Sequence, residues 1–72
     1  MALRIRDLRE DNDFTQAEIA AVLNVSQATY SRYETETLDI PHSSLEKLAD
    51  YYHTSVDYLL GRTNNPAPYP KK

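Results

Sequence analysis

Amide and hydroxyl side chains stand together at two points of the sequence where a helix can begin. Gln16 follows Thr15, and Gln27 follows Ser26. A primary amide carries a donor and an acceptor side by side, so it can pair with the edge of an adenine or bind a phosphate oxygen. Arg32, further along, could pair with guanine or bind a phosphate. These residue types are suited to nucleic-acid contact.

Catalytic and metal-binding patterns are missing from the sequence. The two histidines, His42 and His53, are not in an HExxH arrangement, and there is no cysteine. This pattern does not suit a zinc site. No Ser/His/Asp order or carboxylate pair accompanies a credible pocket, for which a helical chain of 72 residues has little room. The sequence therefore predicts neither an enzyme nor a cofactor or metal ion.

The composition describes one small acidic domain. The 72 residues can form a single core, and no apolar run approaches the roughly 20 residues needed to span a bilayer. The lack of cysteine fits a reducing compartment, so a cytoplasmic protein is predicted. The net charge of −3 argues mildly against nucleic-acid binding, which depends on Lys and Arg. Any such contact must therefore also use amides, hydroxyls and helix N-termini.

The order of apolar and capping residues predicts five helices. Ile5 and Leu8 have the spacing of one helix face. Thr15 and Glu18 form a capping-box pattern at the start of a second helix. Leu45, Leu48, Ala49 and Tyr52 are the apolar face of a fourth helix, whose first residue is either Pro41 or one near Ser43. The expected helices are 2–12, 16–23, 27–35, 41–52 and a short one after Ser55.

A tight turn at Asn24 joins the second and third helices. Asn tolerates the left-handed conformation that such a corner needs. Ser26 can cap the third helix, whose early exposed positions carry no charge. A solvated helix start usually attracts Asp or Glu, so their absence leaves the positive end of the dipole free for an external anion. The uncharged positions are Gln27, Ala28 and Thr29.

The order and spacing of these motifs resemble the lambda-repressor-like (Cro/cI-type, XRE) helix-turn-helix family. The resemblance covers residues 3–62. It rests on Ile5-Arg6-x-Leu8-Arg9, Phe14-Thr15-Gln16-x-Glu18-Ile19-Ala20, Val25-Ser26-Gln27, Tyr33-Glu34, Asp39-Ile40-Pro41, Leu48-Ala49-Asp50-Tyr51-Tyr52 and Ser55-Val56-Asp57-Tyr58-Leu59-Leu60-Gly61.

The resemblance implies a compact all-α domain of five helices in residues 1–62, with helices two and three forming the helix-turn-helix. The third helix enters the major groove of double-stranded DNA, and the second lies across the backbone. Members of this family commonly bind pseudo-palindromic operators as dimers and regulate transcription. The expected function is a sequence-specific repressor that acts as a homodimer. Residues 63–72, rich in proline, are expected to form an extended or disordered tail.

Family position also suggests roles for individual residues. The base-reading residues are Gln27, Ala28, Thr29 and Arg32. The residues expected near the DNA backbone are Thr15, Gln16, Ser26, Tyr30, Ser31, Thr35 and Thr37. Gln16 is also expected to brace Gln27. Arg9 and Glu34 are expected to form a structural ion pair, and the possible dimer surface contains Tyr51, Tyr58, Leu59 and Leu60.

Two residues depart from the family pattern. The corner is usually Gly in this family and is Asn24 here. The inward position in the middle of the third helix is usually Ile or Val and is Tyr30 here. A tyrosine hydroxyl needs water or a partner, so we expect it to extend toward the DNA face and a phosphate.

A protein-interaction module on the same scaffold is the alternative to a DNA-binding domain. The acidic net charge would suit a basic regulatory partner. The residues at the start of the third helix distinguish the two hypotheses, because a carboxylate at an exposed early position would repel DNA. Its uncharged amide and hydroxyl side chains favour DNA binding.

Overall fold

A computed structural model describes residues 3–68 of the protein, and that part of the chain contains five α-helices and no strand. None of these helices is long and apolar enough to cross a membrane. The all-α, five-helix fold predicted from the sequence is therefore confirmed. The helices are α1 (Ile5–Asp11), α2 (Gln16–Leu23), α3 (Gln27–Glu34), α4 (His42–Tyr51) and α5 (Val56–Leu59).

The core takes one fully buried side chain from each of the five helices. Helices this short are marginal in water on their own, so their stability comes from packing against one another. Truncating a buried Leu or Ile in such a core costs about 2–5 kcal/mol. The five side chains are Ile5, Ile19, Tyr30, Leu48 and Leu59.

Side-chain caps determine where three of the helices begin. The Thr15 hydroxyl accepts the N–H of Glu18, and the Glu18 carboxylate accepts the N–H of Thr15, which completes the expected capping box before α2. Ser26 caps α3 through the N–H of Thr29. Ser55 caps α5 in the same way. Each cap is worth about 1 kcal/mol.

The corner between α2 and α3 is left-handed at Asn24, whose φ and ψ are 58° and 42°. Its N–H and that of Val25 bond back to carbonyls near the end of α2, and the Val25–Ala20 bond is 3.0 Å long. These bonds close the helix and turn the chain into α3.

Substitutions at Asn24 should follow the cost of that conformation. Because Asn24 is exposed, Asn24→Ala should lose about 1–2 kcal/mol of unfolding free energy through strain at Cβ. Asn24→Gly removes the same side chain without that strain and is the matched control. Urea denaturation followed by circular dichroism measures both. Equal losses in the two variants would show that the amide side chain, and not the backbone conformation, stabilises the corner.

The end of the domain lies against α1. Arg4 stacks on the ring of Tyr58 at 4.4 Å and donates a hydrogen bond of 2.8 Å to the Asn64 side chain. Residues 63–68 form neither helix nor strand, and the expected tail beyond residue 68 lies outside the described part of the chain.

The possible dimer surface requires one correction. Leu59 is fully buried in the core of a single chain, so its placement on an exposed surface is wrong. Its neighbour Leu60 is half-buried, as is Tyr58, and Tyr51 is 43% exposed. Leu59 points inward because α5 is a single turn that packs against α4, and its apolar side closes the core.

Candidate nucleic-acid interface

The exposed start of α3 contains the residues expected to read bases. Gln27, Ala28 and Arg32 are exposed, and Thr29 is half-buried. The first turn contains no acidic residue. The Ser26 hydroxyl accepts a hydrogen bond from the N–H of Thr29. The N–H groups of Gln27 and Ala28 have no partner inside the helix. The dipole and the free donors of this helix end therefore both favour an anion.

The cap also determines which hydroxyl at this end can bind an external acceptor. Ser26 Oγ accepts the Thr29 N–H at 3.1 Å and donates to Thr29 Oγ1 at 2.9 Å. The Ser26 hydrogen is thus already used, whereas the Thr29 hydroxyl keeps its own hydrogen. Thr29 is consequently the better donor to a phosphate or a base edge, and Ser26 would have to give up a local bond.

The hydroxyls beyond α3 form a short chain of hydrogen bonds. Thr35 and Thr37 are exposed, and their hydroxyl oxygens are 2.9 Å apart. Thr35 Oγ1 also donates to the carbonyl of Arg32 at 3.3 Å, so Thr37 donates to Thr35. A phosphate contact from either hydroxyl would replace one of these bonds. The Thr15 hydroxyl, by contrast, acts as an acceptor in its cap and keeps its hydrogen.

The ion pair expected between Arg9 and Glu34 is present and connects α1 to α3. Arg9 Nε lies 2.6 Å from Glu34 Oε2, and Arg9 Nη2 lies 3.3 Å from Glu34 Oε1. The two side chains are only 13% and 3% exposed. Arg9 Nη1 also donates to the carbonyl of Phe14 at 3.0 Å, so the guanidinium fixes the chain where it enters α2.

Gln16 joins this pair from the first position of α2. Its Nε2 donates to Glu34 Oε1 at 3.1 Å. Within residues 3–68 no hydrogen bond connects Gln16 to Gln27, so the expected bracing between the two amides does not appear in this conformation. The sequence contains no signal for the Gln16–Glu34 bond, because it depends on the angle at which α2 and α3 meet.

The Glu34 carboxylate stays ionised because its partners outweigh its burial. Burial raises the pKa of Glu34, but the hydrogen bonds from Arg9 and Gln16 and the nearby Tyr30 hydroxyl lower it, and the resulting pKa is below the ordinary value. The bond to Glu34 in turn raises the pKa of Arg9. A fixed pair of opposite charges therefore connects α1 to the helix-turn-helix.

Tyr30 lies too deep in the core to contact a phosphate, so that expectation is wrong. The whole side chain is buried at the centre of the core. Its hydroxyl faces the Glu34 carboxylate without making a hydrogen bond of regular geometry. Burial, followed by this carboxylate, raises the pKa of Tyr30 well above its ordinary value. The hydroxyl lies near the charged pair and not at the surface, because the whole side chain belongs to the buried core.

Comparisons with known proteins agree with this geometry. The family model described as "Helix-turn-helix" matches residues 5–59. The chain therefore belongs to the XRE-type helix-turn-helix family. No solved structure matches it significantly.

Three curated relatives are each 37% identical to this chain. The "Uncharacterized HTH-type transcriptional regulator YobD" of Bacillus subtilis (strain 168) aligns with 90% of this chain and 58% of its own length. The "HTH-type transcriptional regulator ImmR" of the same organism aligns with 82% of this chain and 46% of its own. The "Cryptic phage CTXphi transcriptional repressor RstR" of Vibrio cholerae aligns with 79% of this chain and 51% of its own. The chain thus spans about half the length of these relatives, which are named as regulators and not as enzymes.

Proposed function

We propose that this domain is a sequence-specific double-stranded DNA-binding regulator of transcription that reads the major groove with α3. The observation that carries the proposal is the uncharged, capped start of α3, with Gln27, Ala28, Thr29 and Arg32 along its outer edge. Residues 1–62 form the binding domain in this proposal. Repression is the favoured outcome, since one similar protein is named as a transcriptional repressor.

The proposed interface combines contacts to bases with contacts to the DNA backbone. Gln27 pairs with a base edge, and Arg32 reads guanine or holds a phosphate. The starts of α2 and α3 bind the backbone through main-chain N–H groups and through Thr15, Gln16 and Ser26. Because these groups are neutral donors, the surface can bind DNA although the net charge of the chain is −3.

A homodimer completes the proposal. Two copies related by a two-fold axis would place their third helices in successive major grooves, about 34 Å apart, on a pseudo-palindromic operator. The exposed Tyr51 and half-buried Tyr58 and Leu60 are the part of the expected surface that remains available. The domain is expected to act in the cytoplasm, where a regulatory protein could modulate it.

Selection of bound sequences from a random pool of double-stranded DNA tests this function. We expect one enriched motif with two related halves, spaced by about one helical turn. A motif with only one half-site would contradict the dimer and still support sequence-specific binding. A pool with no enrichment would reject the proposed function and favour the protein-interaction module.

Binding should depend only weakly on salt. Between Thr15 and Thr37 the sole Lys or Arg is Arg32. Each neutralised phosphate adds about 0.9 to the slope of log K against log salt, so a slope of about −1 to −2 per protomer is expected from fluorescence anisotropy. A slope steeper than about −5 per protomer would contradict an interface built from amides and hydroxyls.

Two arginine variants locate the charge that produces this slope. Arg32→Ala should reduce its magnitude by about 1 per protomer. Arg6→Ala is the control, because Arg6 lies on α1 and pairs with Glu10 at 3.5 Å. If Arg6→Ala changes the slope and Arg32→Ala does not, the DNA lies against another face.

A further inference from the structure

The Glu34 carboxylate receives hydrogen bonds from side chains of two other helices, α1 and α2. Oε2 accepts from Arg9 Nε at 2.6 Å, and Oε1 accepts from Arg9 Nη2 at 3.3 Å and from Gln16 Nε2 at 3.1 Å. With only 3% of its side chain exposed, Glu34 cannot contact DNA itself. Glu34 is nevertheless bonded directly to Gln16, which is expected to contact the DNA backbone.

The carboxylate determines which way the Gln16 amide points. An ionised carboxylate can only accept hydrogen bonds, so the NH₂ group of Gln16, and not its carbonyl oxygen, must face Glu34. One N–H is used in that bond. The second N–H and the carbonyl remain for a partner outside the domain. Gln16 is half-buried at the first position of α2, where the helix dipole also favours an anion.

Arg9 makes this arrangement compatible with a nearby phosphate. A lone carboxylate next to Gln16 would repel the DNA backbone. The guanidinium, bonded to both carboxylate oxygens, balances that charge inside the domain. The pair thus fixes the amide without presenting net negative charge to the DNA.

We infer that Glu34 is a positioning residue for DNA binding, which holds the Gln16 amide so that its second N–H meets a backbone phosphate. The inference rests on the proposed function. Without Glu34, the Gln16 side chain must lose its rotational freedom when DNA binds, and its contact becomes weaker. Glu34 therefore acts through Gln16 and not through the stability of the fold alone.

A double-mutant cycle on operator affinity measures this coupling. Gln16→Ala should weaken binding about tenfold in the wild-type background, the order expected for one hydrogen bond to a charged group. In a Glu34→Leu background the same substitution should weaken binding less than about twofold. General effects of Glu34→Leu on charge or folding occur in both arms and cancel. Arg32→Ala is the matched control, and its effect should be the same in both backgrounds.

A second background covers the case in which Glu34→Leu, with Arg9 left unpaired, does not fold. Arg9→Met combined with Glu34→Leu replaces the whole pair by apolar side chains of similar size, an exchange that folds tolerate well. The expected loss on Gln16→Ala is again less than about twofold in this background. Circular dichroism under the binding conditions verifies that every variant compared is folded.

The side-chain amide signal of Gln16 in the free protein provides an independent measurement. In the ¹⁵N–¹H spectrum, one of its two N–H protons should be shifted downfield and exchange slowly with water. Both properties should disappear in the Arg9→Met/Glu34→Leu variant. A fast-exchanging Gln16 amide in the wild-type protein would overturn the positioning role without any DNA measurement.

These experiments distinguish a failure of the positioning role of Glu34 from a failure of the proposed DNA-binding function. If the wild-type domain binds its selected DNA and Gln16→Ala weakens binding equally in all backgrounds, Glu34 is structural only and the inference fails. If the wild-type domain selects no DNA, the proposed function fails, and the positioning role fails with it, even where the amide signal shows the Gln16–Glu34 bond.

Discussion

Arg9→Ala should lower the midpoint of unfolding far more than Arg6→Ala does. Arg9 is 13% exposed and holds a carboxylate that is 3% exposed, and its removal leaves that charge buried without its main partner. Losses of about 3–5 kcal/mol follow from breaking such pairs, which is most of the stability of a domain this small. Arg6 is 65% exposed and its pair with Glu10 is worth a few tenths of a kcal/mol at most.

Urea titration of both variants, followed by far-ultraviolet circular dichroism, measures this difference. Arg6→Ala serves as the control because it removes the same side-chain type from the same helix, α1. Equal midpoints would show that the Arg9–Glu34 pair adds nothing to the stability of the fold.

The same comparison should depend on pH. The pKa of Glu34 is lowered in the folded protein, so its stabilising effect is present above the unfolded pKa of about 4.3 and is lost as the pH falls through the folded value. In Arg9→Ala the strongest of the interactions that lower this pKa is absent. We therefore expect the gap between the wild-type and Arg9→Ala midpoints to be widest near neutral pH and to narrow below about pH 4.

Gln27→Ala should abolish the sequence preference of the domain while weak non-specific binding remains. A bidentate contact to a base edge contributes about 1–3 kcal/mol of discrimination, which is roughly 5- to 150-fold in affinity ratio. The backbone contacts at the starts of α2 and α3 do not involve this side chain, so they persist. Fluorescence anisotropy on the selected operator and on a scrambled duplex of equal composition gives the ratio.

Gln16→Ala is the matched control for this experiment. It makes the same chemical change one helix earlier, at the first position of α2. As a backbone contact, Gln16 should affect both duplexes alike, so that affinity falls and the ratio stays the same. If Gln27→Ala preserves the ratio and Gln16→Ala reduces it, the two glutamines have the opposite roles.

Features that depend on neighbours in sequence could be predicted well. The capping box at Thr15 and the caps at Ser26 and Ser55 are present where the sequence indicates them. α1 runs from Ile5 to Asp11 and is shorter at both ends than the predicted 2–12, with Arg4 before it and Asn12 after it. The sequence left Pro41 and Ser43 open as the start of α4, and the structure places Pro41 immediately before the helix.

Features that depend on the angles between helices could not be predicted. Tyr30 is expected to extend toward DNA, yet it is fully buried, and its hydroxyl lies near the Glu34 carboxylate of the same helix. Leu59 was expected on a surface and closes the core instead. In both cases the helical period gives the direction of a side chain, but the packing of the other helices determines how deeply it lies.

The sequence alone determined the five-helix class, the caps and the uncharged edge of α3, because each depends on residue types only a few positions apart. The tertiary structure alone decided that Gln16 bonds to Glu34, 18 positions away, and that the Arg9–Glu34 pair expected from the family resemblance uses both carboxylate oxygens and lies largely out of solvent. The Gln16–Glu34 contact depends on the left-handed corner at Asn24, where the chain turns from α2 into α3. Long-range bonds of this kind form only when the core fixes the helices in space, and no local pattern encodes them.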